Sequence, residues 1–166
     1  MLHPARTFAI AAHGDQKYGE HPYSYHLDAV VALLVPYGEP AITIGYLHDV
    51  VEDTSVPLDN IRTQFGDMVA DSVKLLTDEP GADRAARKAL SHAKLAKVAG
   101  KQELALIVKA ADRLANLRMG VSNQSTAKLK MYAGEHPAFR KATYRPGLCE
   151  DLWLEIDRIM AGYTQH

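Results

Sequence analysis

Residues 46–54 read Tyr-Leu-His-Asp-Val-Val-Glu-Asp-Thr, and the interpretation of the whole chain starts from this stretch. At about 3.6 residues per helical turn, His48 and Glu52 lie one turn apart. Asp49 and Asp53 have the same spacing, so an imidazole and three carboxylates gather on one face. Carboxylates this close repel one another, and a divalent metal ion supplies the compensating positive charge. The alternative is an acidic helix end in which Glu52 and Asp53 face water.

The helix that carries this stretch favours the metal interpretation. Residues 40–53 form a predicted helix that is apolar nearly all round, which is typical of the middle of a helical bundle. His48 and Asp49, on its last turns, are therefore expected next to a hydrophobic core. The preceding predicted helix, residues 25–35, is also strongly apolar and carries His26 in its first turn.

A second informative helix is predicted at residues 104–117. It is strongly apolar, but four polar residues interrupt it and share one side of the helix: Lys109, Asp112, Arg113 and Asn116. A carboxylate such as Asp112 among apolar residues needs a metal or an ion partner, because burying it alone is prohibitive. The metal and an internal salt bridge with Arg113 or Arg118 both stay open at this point.

The rest of the chain also has helical periodicity. Further helices are predicted at residues 4–16, 58–65, 67–76, 84–98, from 126 towards Pro137, and at 148–160. Gly66 is expected as a left-handed C-cap. There is no period-two alternation of any length and no repeat. The sequence therefore predicts an all-α fold, a compact orthogonal helical bundle, with residues 1–166 as a single domain.

The predicted helix at residues 84–98 differs from the others because it is basic, with only Ala, Leu and Val available for packing. Most charge runs of this kind are solvated outer faces. The alternative is a strip that faces phosphate groups, in which case Arg87 and Lys88 are the candidate contacts.

Composition excludes several classes of function. Lys plus Arg number 19 against 20 for Asp plus Glu, so the net charge of -1 gives no signature of general nucleic-acid binding. Cys149, the single cysteine, excludes an intramolecular disulfide framework and a cysteine-based zinc site. The first residues do not have the pattern of a secretion signal, and no apolar run approaches a membrane span. We expect a cytoplasmic protein without a membrane partner.

Three motifs resemble those of a known superfamily. His26, the His48-Asp49 pair and Asp112 occur in the order His, His-Asp, Asp of the HD superfamily of metal-dependent phosphohydrolases. Their neighbours resemble the hydrolase domain of RelA/SpoT homologues, and in size the chain is similar to the stand-alone small alarmone hydrolases. The segments that carry the resemblance are residues 16–19, Pro22, Tyr23 and His26, then residues 47–54, 65–67, 109–117 and 131–132.

The resemblance implies hydrolysis of the 3′-pyrophosphate of (p)ppGpp, the guanosine tetra- and pentaphosphate alarmones, to GDP or GTP and pyrophosphate, usually with manganese. It implies four metal ligands: His26, His48, Asp49 and Asp112. Two imidazoles and two carboxylates form a mixed nitrogen and oxygen site with open positions, which suits Mn²⁺ and not a closed structural zinc site.

The same resemblance suggests roles for other polar residues. Glu52 and Asp53 are placed to accept a proton from the attacking water or to orient it. Asn116, one turn past Asp112, is expected to fix one of these two carboxylates or the substrate ribose. The candidate cations for the phosphate groups are Lys17, Arg87, Lys88, Lys109 and Arg113. Structural roles stay open for Lys109 and Arg113.

The nucleobase end of the site differs from the family pattern. Alarmone hydrolases commonly carry an Arg-Lys pair in the first loop, where the arginine stacks on guanine, whereas this chain has Lys17-Tyr18. Lysine neither stacks nor makes a bidentate fork, although Tyr18 could stack in its place. Tyr132 resembles the family tyrosine near the nucleobase, with ordinary packing as the alternative. The change leaves the metal site intact and bears on guanine specificity.

Two other functions stay open. One is a phosphatase for another nucleotide, such as NADPH or a nucleoside monophosphate, which the missing loop arginine favours. The other is a non-catalytic, metal-dependent nucleotide sensor, against which the presence of both Glu52 and Asp53 argues. No synthetase domain is expected in 166 residues, so we expect degradation without synthesis. The oligomeric state is not defined by the sequence.

Overall fold

The computed structural model of the protein describes residues 2–164. The helices are α1 (Pro4–His13), α2 (Tyr23–Leu34), α3 (Glu39–Leu47), α4 (Val50–Asp53), α5 (Leu58–Phe65), α6 (Asp67–Leu76), α7 (Arg84–Ala96), α8 (Glu103–Ser122), α9 (Thr126–Thr143) and α10 (Glu150–Ala161). Two 3₁₀ turns, Val35–Tyr37 and Gly100–Gln102, and a small antiparallel hairpin, β1 (Lys17–Tyr18) and β2 (His21–Pro22), complete the described fold. The predicted all-α helical bundle is confirmed.

Helix α8 is the centre of the bundle, and it packs against α2, α3, α6, α9 and α10. Its apolar side chains are buried on most sides: Ala105, Leu106, Val108, Ala110, Ala111, Leu114 and Leu117. Each fully buried leucine contributes roughly 1.5–3 kcal/mol by removing apolar surface from water. This packing holds α8 rigidly, so the polar side chains on its remaining side are held in place as well.

Helices α2 and α3 approach each other closely at Gly45. A Cβ built at this position would lie 2.6 Å from Leu34 Cδ1 and 3.2 Å from Val31 Cγ2. A larger residue would therefore push the two helices apart. The close approach brings the end of α3, next to His48, against the helix that carries His26.

The prediction of one continuous helix over residues 40–53 is wrong, because His48 and Asp49 form a turn between α3 and α4. We attribute the turn to the His48 side chain, whose Nδ1 donates a hydrogen bond to the Gly45 carbonyl at 2.6 Å. In a continuous helix that carbonyl would accept the N–H of Asp49. Both turn residues keep backbone angles in the right-handed helical region, and the Asp53 N–H donates to the Asp49 carbonyl at 2.9 Å. The one-turn spacing of the acidic residues is thereby kept.

Helix α9 runs further than the sequence predicts, through Pro137 to its end at Thr143. Proline inside a helix removes one backbone hydrogen bond and usually ends or kinks the helix. Here Leu129, Tyr132 and Phe139 are buried on both sides of the proline. Their tertiary packing outweighs the local preference.

Two smaller features also differ from the prediction. Gly66 has φ 94° and ψ 170°, so it is not a left-handed C-cap, although its positive φ still favours glycine. The hairpin was not predicted because each of its strands has two residues, which is too short to show alternation. No helix within residues 2–164 combines the length and the apolar character that crossing a membrane requires.

Candidate functional site

Four side chains from three parts of the bundle meet at one point, and we call them the His/Asp cluster: His26 from α2, His48 and Asp49 from the turn after α3, and Asp112 from α8. One nitrogen or oxygen atom of each lies within 4.8 Å of the others. Asp112 Oδ1 is 2.9 Å from His26 Nε2 and 3.3 Å from His48 Nε2. Asp49 Oδ2 is 3.0 Å from His48 Nε2. Both imidazoles are buried, and both carboxylates are half-buried.

Hydrogen bonding fixes how His48 presents its ring. Its Nδ1 carries the proton that is donated to the Gly45 carbonyl, which leaves Nε2 directed at the two carboxylates. Burial disfavours a second proton, but the negative charges of Asp49 and Asp112 outweigh burial and raise the pKa of His48 well above its ordinary value. A site that holds a proton between two carboxylates attracts a divalent cation for the same electrostatic reason.

The donor set fits a divalent metal ion. Two imidazole nitrogens and two carboxylate oxygens suit a transition-metal site with positions left open for other ligands. The bond from His48 Nδ1 to a backbone carbonyl is the kind of outer contact that orients a metal-binding histidine. The Tyr23 hydroxyl donates to Asp49 Oδ2 and orients that carboxylate. The cluster is therefore a candidate metal site.

Asp112 does not form the internal salt bridge that the sequence left open. Its hydrogen bonds go to His26, His48 and, at 3.5 Å, Asn116. Arg118 instead pairs with Glu155, at 2.6 Å between Nε and Oε2. Burial would raise the pKa of Asp112, but the neighbouring imidazoles outweigh it and lower that pKa well below its usual range.

Glu52 and Asp53, on α4, line a cleft of about 170 Å³ that opens over the His/Asp cluster. Glu52 Oε1 accepts the backbone N–H of Asp78 at 2.6 Å, and Asp53 Oδ2 accepts from Gln16 Nε2 at 3.0 Å. Burial raises the pKa of both carboxyl groups, and the negative charge of Asp49 raises it further. A carboxylate with a raised pKa is a better acceptor for a proton from water.

Another part of the cleft lining is positively charged. Four side chains from α7 and α8 line it, and we call them the cationic wall: Arg84, Lys88, Lys109 and Arg113. Lys88 Nζ lies 2.8 Å from Asp78 Oδ2, and Arg84 Nε lies 2.7 Å from Glu135 Oε2. Lys109 makes no ion pair with any other residue of 2–164. Among the residues that the structure describes, Lys109 is therefore the one cation of the wall that no carboxylate contacts directly, although its charge helps to lower the pKa of Asp78.

Arg113 has the surroundings of a packing residue, since it is 4% exposed. Its guanidinium carbon lies 4.0 Å from the centre of the Phe139 ring and 4.6 Å from that of Tyr132. Nη2 is 3.5 Å from Glu135 Oε1. Tyr132 is itself buried at the back of the cleft. These contacts pack α8 against α9 and hold the Arg113 guanidinium in place within the cationic wall.

A groove of about 630 Å³ adjoins the cleft. Tyr18 and Asn116 line both spaces, and the Tyr18 hydroxyl donates to Asn116 Oδ1 at 2.5 Å. The Tyr18 ring also stacks on His26, with centroids 4.5 Å apart and an angle of 16° between the rings. Lys17 and Lys128 lie on the groove and not in the cleft. The Tyr18–Asn116 bridge therefore marks the junction of the two spaces.

A family model described as HD domain matches residues 5–137, which include the complete His/Asp cluster. The chain belongs to the HD domain family. The family resemblance seen in the sequence is thereby confirmed.

Relatives with curated names share this HD domain. The GTP pyrophosphokinase rsh of Brucella abortus is 34% identical over 170 residues, which cover 98% of this chain and 22% of that protein. A Synechocystis protein named probable guanosine-3′,5′-bis(diphosphate) 3′-pyrophosphohydrolase is 38% identical over 128 residues, covering 69% of this chain and 16% of that protein. The chain therefore spans about a fifth or less of the length of these relatives.

Two solved structures have the same fold. A metazoan protein described as an ortholog of SpoT that hydrolyses ppGpp superimposes with a TM-score of 0.80 and 25% identity, over 98% of both chains. A protein from Listeria monocytogenes EGD-e gives a TM-score of 0.68 and 25% identity, over 89% of this chain and 99% of that one. The HD-domain helical bundle is thus shared along nearly the whole chain.

The structure of this HD domain brings most of the predicted site residues together, but not all of them. The half-buried Arg87 does not line the cleft, whereas Arg84, one turn before Lys88, does. Because residues three apart lie on the same side of a helix, the spacing of Arg84 and Arg87 does not separate them, and the position of α7 in the bundle decides which one faces the cleft. The exposed Lys17 lies on the groove. Asn116 hydrogen bonds Asp112 and Tyr18 and neither of the two carboxylates, Glu52 and Asp53. The other expected partner of Asn116, the substrate ribose, stays a prediction.

Sequence reasoning missed four residues of the site: Gln16, Tyr23, Asp78 and Arg84. Gln16 and Tyr23 hold Asp53 and Asp49, and Asp78 holds Glu52 and pairs with Lys88. Nothing in their local sequence marks these contacts, which join residues far apart in the chain. For Arg84, the i, i+4 spacing to Lys88 was the available signal.

Proposed function

We propose that this HD domain hydrolyses the 3′-pyrophosphate of (p)ppGpp to GDP or GTP and pyrophosphate, with Mn²⁺ held by His26, His48, Asp49 and Asp112. The observation that carries the proposal is the cleft, whose lining combines residues of the His/Asp cluster, two carboxylates with raised pKa values and the cationic wall. The printed names of the Synechocystis relative and of the metazoan structure support the choice of substrate.

The division of roles follows from the chemistry of each group. A divalent ion in the cluster would act as a Lewis acid toward a phosphoryl oxygen and lower the pKa of water from ~15.7 towards ~7. One of the two carboxylates, Glu52 or Asp53, accepts the proton of the attacking water and thereby holds the proton that O3′ requires. The water oxygen bonds to the phosphorus next to ribose O3′, the P–O3′ bond breaks, and O3′ takes up a proton.

The cationic wall binds the pyrophosphoryl group. Its several negative charges meet Lys109 first, because that ammonium group makes no ion pair among the described residues. Arg84 and Lys88 can join by exchanging their carboxylate partners, Glu135 and Asp78, for phosphate oxygens, because the bonds lost and the bonds formed are both charge-assisted. The two carboxylates would then keep the wall ordered while the cleft is free of substrate.

The adjoining groove is placed to hold the nucleoside. A molecule whose 3′ group enters the cleft must pass the Tyr18–Asn116 bridge, so the ribose would lie at that bridge and the base in the groove. Asn116 offers an amide that hydrogen bonds a ribose hydroxyl once the Tyr18 hydroxyl yields. Lys17 and Lys128, on the same groove, favour the second phosphate chain of an alarmone.

One observation favours a second candidate, a phosphatase for a different nucleotide such as NADPH. One face of the Tyr18 ring lies on His26 and its hydroxyl is engaged by Asn116, and both contacts oppose a rotation of Tyr18 towards guanine in place of the missing arginine. Base recognition would then rest on other residues of the groove. The metal and phosphate chemistry is the same for both candidates.

The deciding experiment is product analysis with a set of nucleotides. Purified protein loaded with Mn²⁺ is given ppGpp, NADPH, and several 3′- and 5′-nucleotides separately, and GDP, pyrophosphate and orthophosphate are measured. The control is the same protein stripped with a chelator. We expect rapid release of GDP and pyrophosphate from ppGpp, which is lost on stripping and restored by Mn²⁺.

Two outcomes would contradict the alarmone proposal. Orthophosphate release from another nucleotide with no reaction on ppGpp would assign the site to the second candidate. Binding of ppGpp, measured by calorimetry, without any turnover would instead identify a metal-dependent nucleotide sensor.

A further inference from the structure

The corner between α1 and α2 contacts a carboxylate of the cleft, Asp53, through Gln16. Its backbone N–H donates to the His13 carbonyl at 3.0 Å, and its carbonyl accepts the Tyr23 N–H at 3.1 Å. The backbone of Gln16 is therefore held from both helices, although the residue belongs to neither. Its side chain crosses to α4, where Nε2 lies 3.0 Å from Asp53 Oδ2.

The direction of the Gln16 amide is determined by its two partners. His13 Nδ1 lies 2.8 Å from Gln16 Oε1, so that nitrogen donates its proton to the amide oxygen. The amide NH₂ then faces Asp53, which as a carboxylate can only accept. A flipped amide would direct its oxygen at a carboxylate, which is repulsive. The order of donation is thus His13 to Gln16 to Asp53.

His13 is itself held firmly, because it is 7% exposed and its ring packs on Tyr23 with centroids 4.4 Å apart. The Tyr23 hydroxyl donates to Asp49. One corner of the fold thus supplies one donor to each of two neighbouring carboxylates. Asp49 belongs to the His/Asp cluster, whereas Asp53 lies outside it.

Asp53 and Glu52 are held in different ways. Glu52 is tied to a backbone N–H, that of Asp78, which cannot move independently of its loop. Both carboxylates are exposed and both are repelled by the negative charge of Asp49, but the partner of Asp53 is a side chain, that of Gln16. The Gln16 side-chain amide opposes that repulsion with a hydrogen bond.

We propose that Gln16, oriented by His13, is a positioning residue that holds the Asp53 carboxylate at the cleft for proton transfer from water. This inference rests on the proposed hydrolase function. Gln16 touches neither substrate nor metal in this role and acts through Asp53 alone. Its contribution should therefore vanish when Asp53 can no longer accept a proton.

A double-mutant cycle with Gln16→Met and Asp53→Asn tests this. Methionine keeps the length of the side chain and removes both hydrogen bonds. We expect Gln16→Met to lower kcat for ppGpp about 10- to 100-fold with KM and bound Mn²⁺ unchanged, because small displacements of a catalytic group have effects of this size. In the Asp53→Asn background the same change should lower kcat by less than about 2-fold.

Two further variants sharpen the cycle. Gln64→Met, at an exposed glutamine on α5, is the matched control and should leave kcat unchanged. His13→Phe keeps a ring against Tyr23 but removes the donor to Gln16, and it should reproduce part of the loss seen in Gln16→Met.

Additive effects of Gln16→Met and Asp53→Asn on kcat, or an equal rise in KM, would overturn the proposal. If the wild-type protein released no pyrophosphate, the proposed hydrolase function alone would be contradicted. The denaturation midpoints of the wild type, the two single variants and the double variant would then test whether Gln16 and Asp53 interact. Non-additive shifts of the midpoint would support an interaction between Gln16 and Asp53, and additive shifts would overturn it.

Discussion

The two sides of the cleft are held by different forces. The His/Asp cluster comes from the innermost helices, and its histidines are 2% and 3% exposed. Half of the cationic wall, Arg84 and Lys88, comes from α7, which buries only Ser91 and Leu95 and packs mainly against α9. Core packing fixes the cluster before any ligand binds, whereas ion pairs that phosphate can replace hold much of the wall. Any substitution in the cluster should therefore abolish activity, whereas several substitutions in the wall should leave the enzyme active.

The largest effect is expected from the cluster. Asp112→Ala and His48→Ala should each abolish Mn²⁺ binding and lower activity at least ~10³-fold, since each removes a ligand and leaves buried partners without a counter-group. Metal content by mass spectrometry and pyrophosphate release check this, with the exposed Asp59→Ala on α5 as the matched control. Retained metal and activity in Asp112→Ala would remove that residue from the site.

The next effect separates metal binding from proton transfer. Glu52→Gln keeps an oxygen for the Asp78 N–H but can no longer accept a proton from water. We expect normal Mn²⁺ content with kcat lowered about 10²- to 10⁴-fold, the usual size of a lost general base. Equilibrium dialysis with Mn²⁺ and steady-state kinetics measure the two quantities. Full activity of this variant would assign the base role to Asp53 alone.

A smaller effect is expected from the wall. Lys109→Met should raise KM for ppGpp about tenfold or more with bound Mn²⁺ unchanged, because the variant loses the unpaired cation. Added salt should weaken the wild type more than the variant, since screening acts on the charge that the variant lacks. The exposed Lys101→Met, in the turn before α8, is the control. An unchanged KM would show that Arg84 and Lys88 suffice.

The smallest effect on activity should come from the anchor of α7. Arg145 donates to the carbonyls of Leu95, Ala96 and Val98 at 3.0, 3.2 and 3.1 Å, at the end of that helix. Arg145→Met should lower the free energy of unfolding by about 1.5–3 kcal/mol, the size expected for hydrogen bonds to a charged group. We expect kcat to change less than about 3-fold, because the anchor is at the far end of α7 from Arg84.

Denaturant unfolding and kinetics check this, with the exposed Arg158→Met on α10 as the control. A large loss of kcat in Arg145→Met at normal stability would contradict the comparison, since it would make the wall as sensitive as the cluster.

Short-range patterns predicted most of the helices, and the resemblance to the HD superfamily supplied the four residues of the His/Asp cluster. His48 with Asp49 and Asp112 are polar residues within strongly apolar helices, and such residues need a partner when they are buried. The metal-binding role of the cluster itself stays a prediction. The turn at His48 was missed because it depends on a side chain that competes for a single backbone carbonyl.

The tertiary structure alone decided which basic residues face the cleft and what holds the carboxylates. Arg84 and Arg87 lie within one turn of each other, and only the packing of α7 on α9 directs the first towards the cleft. Gln16 meets Asp53 across 37 residues of sequence. Helical spacing determines which residues share a face, whereas which faces meet depends on many weak contacts summed over the whole bundle.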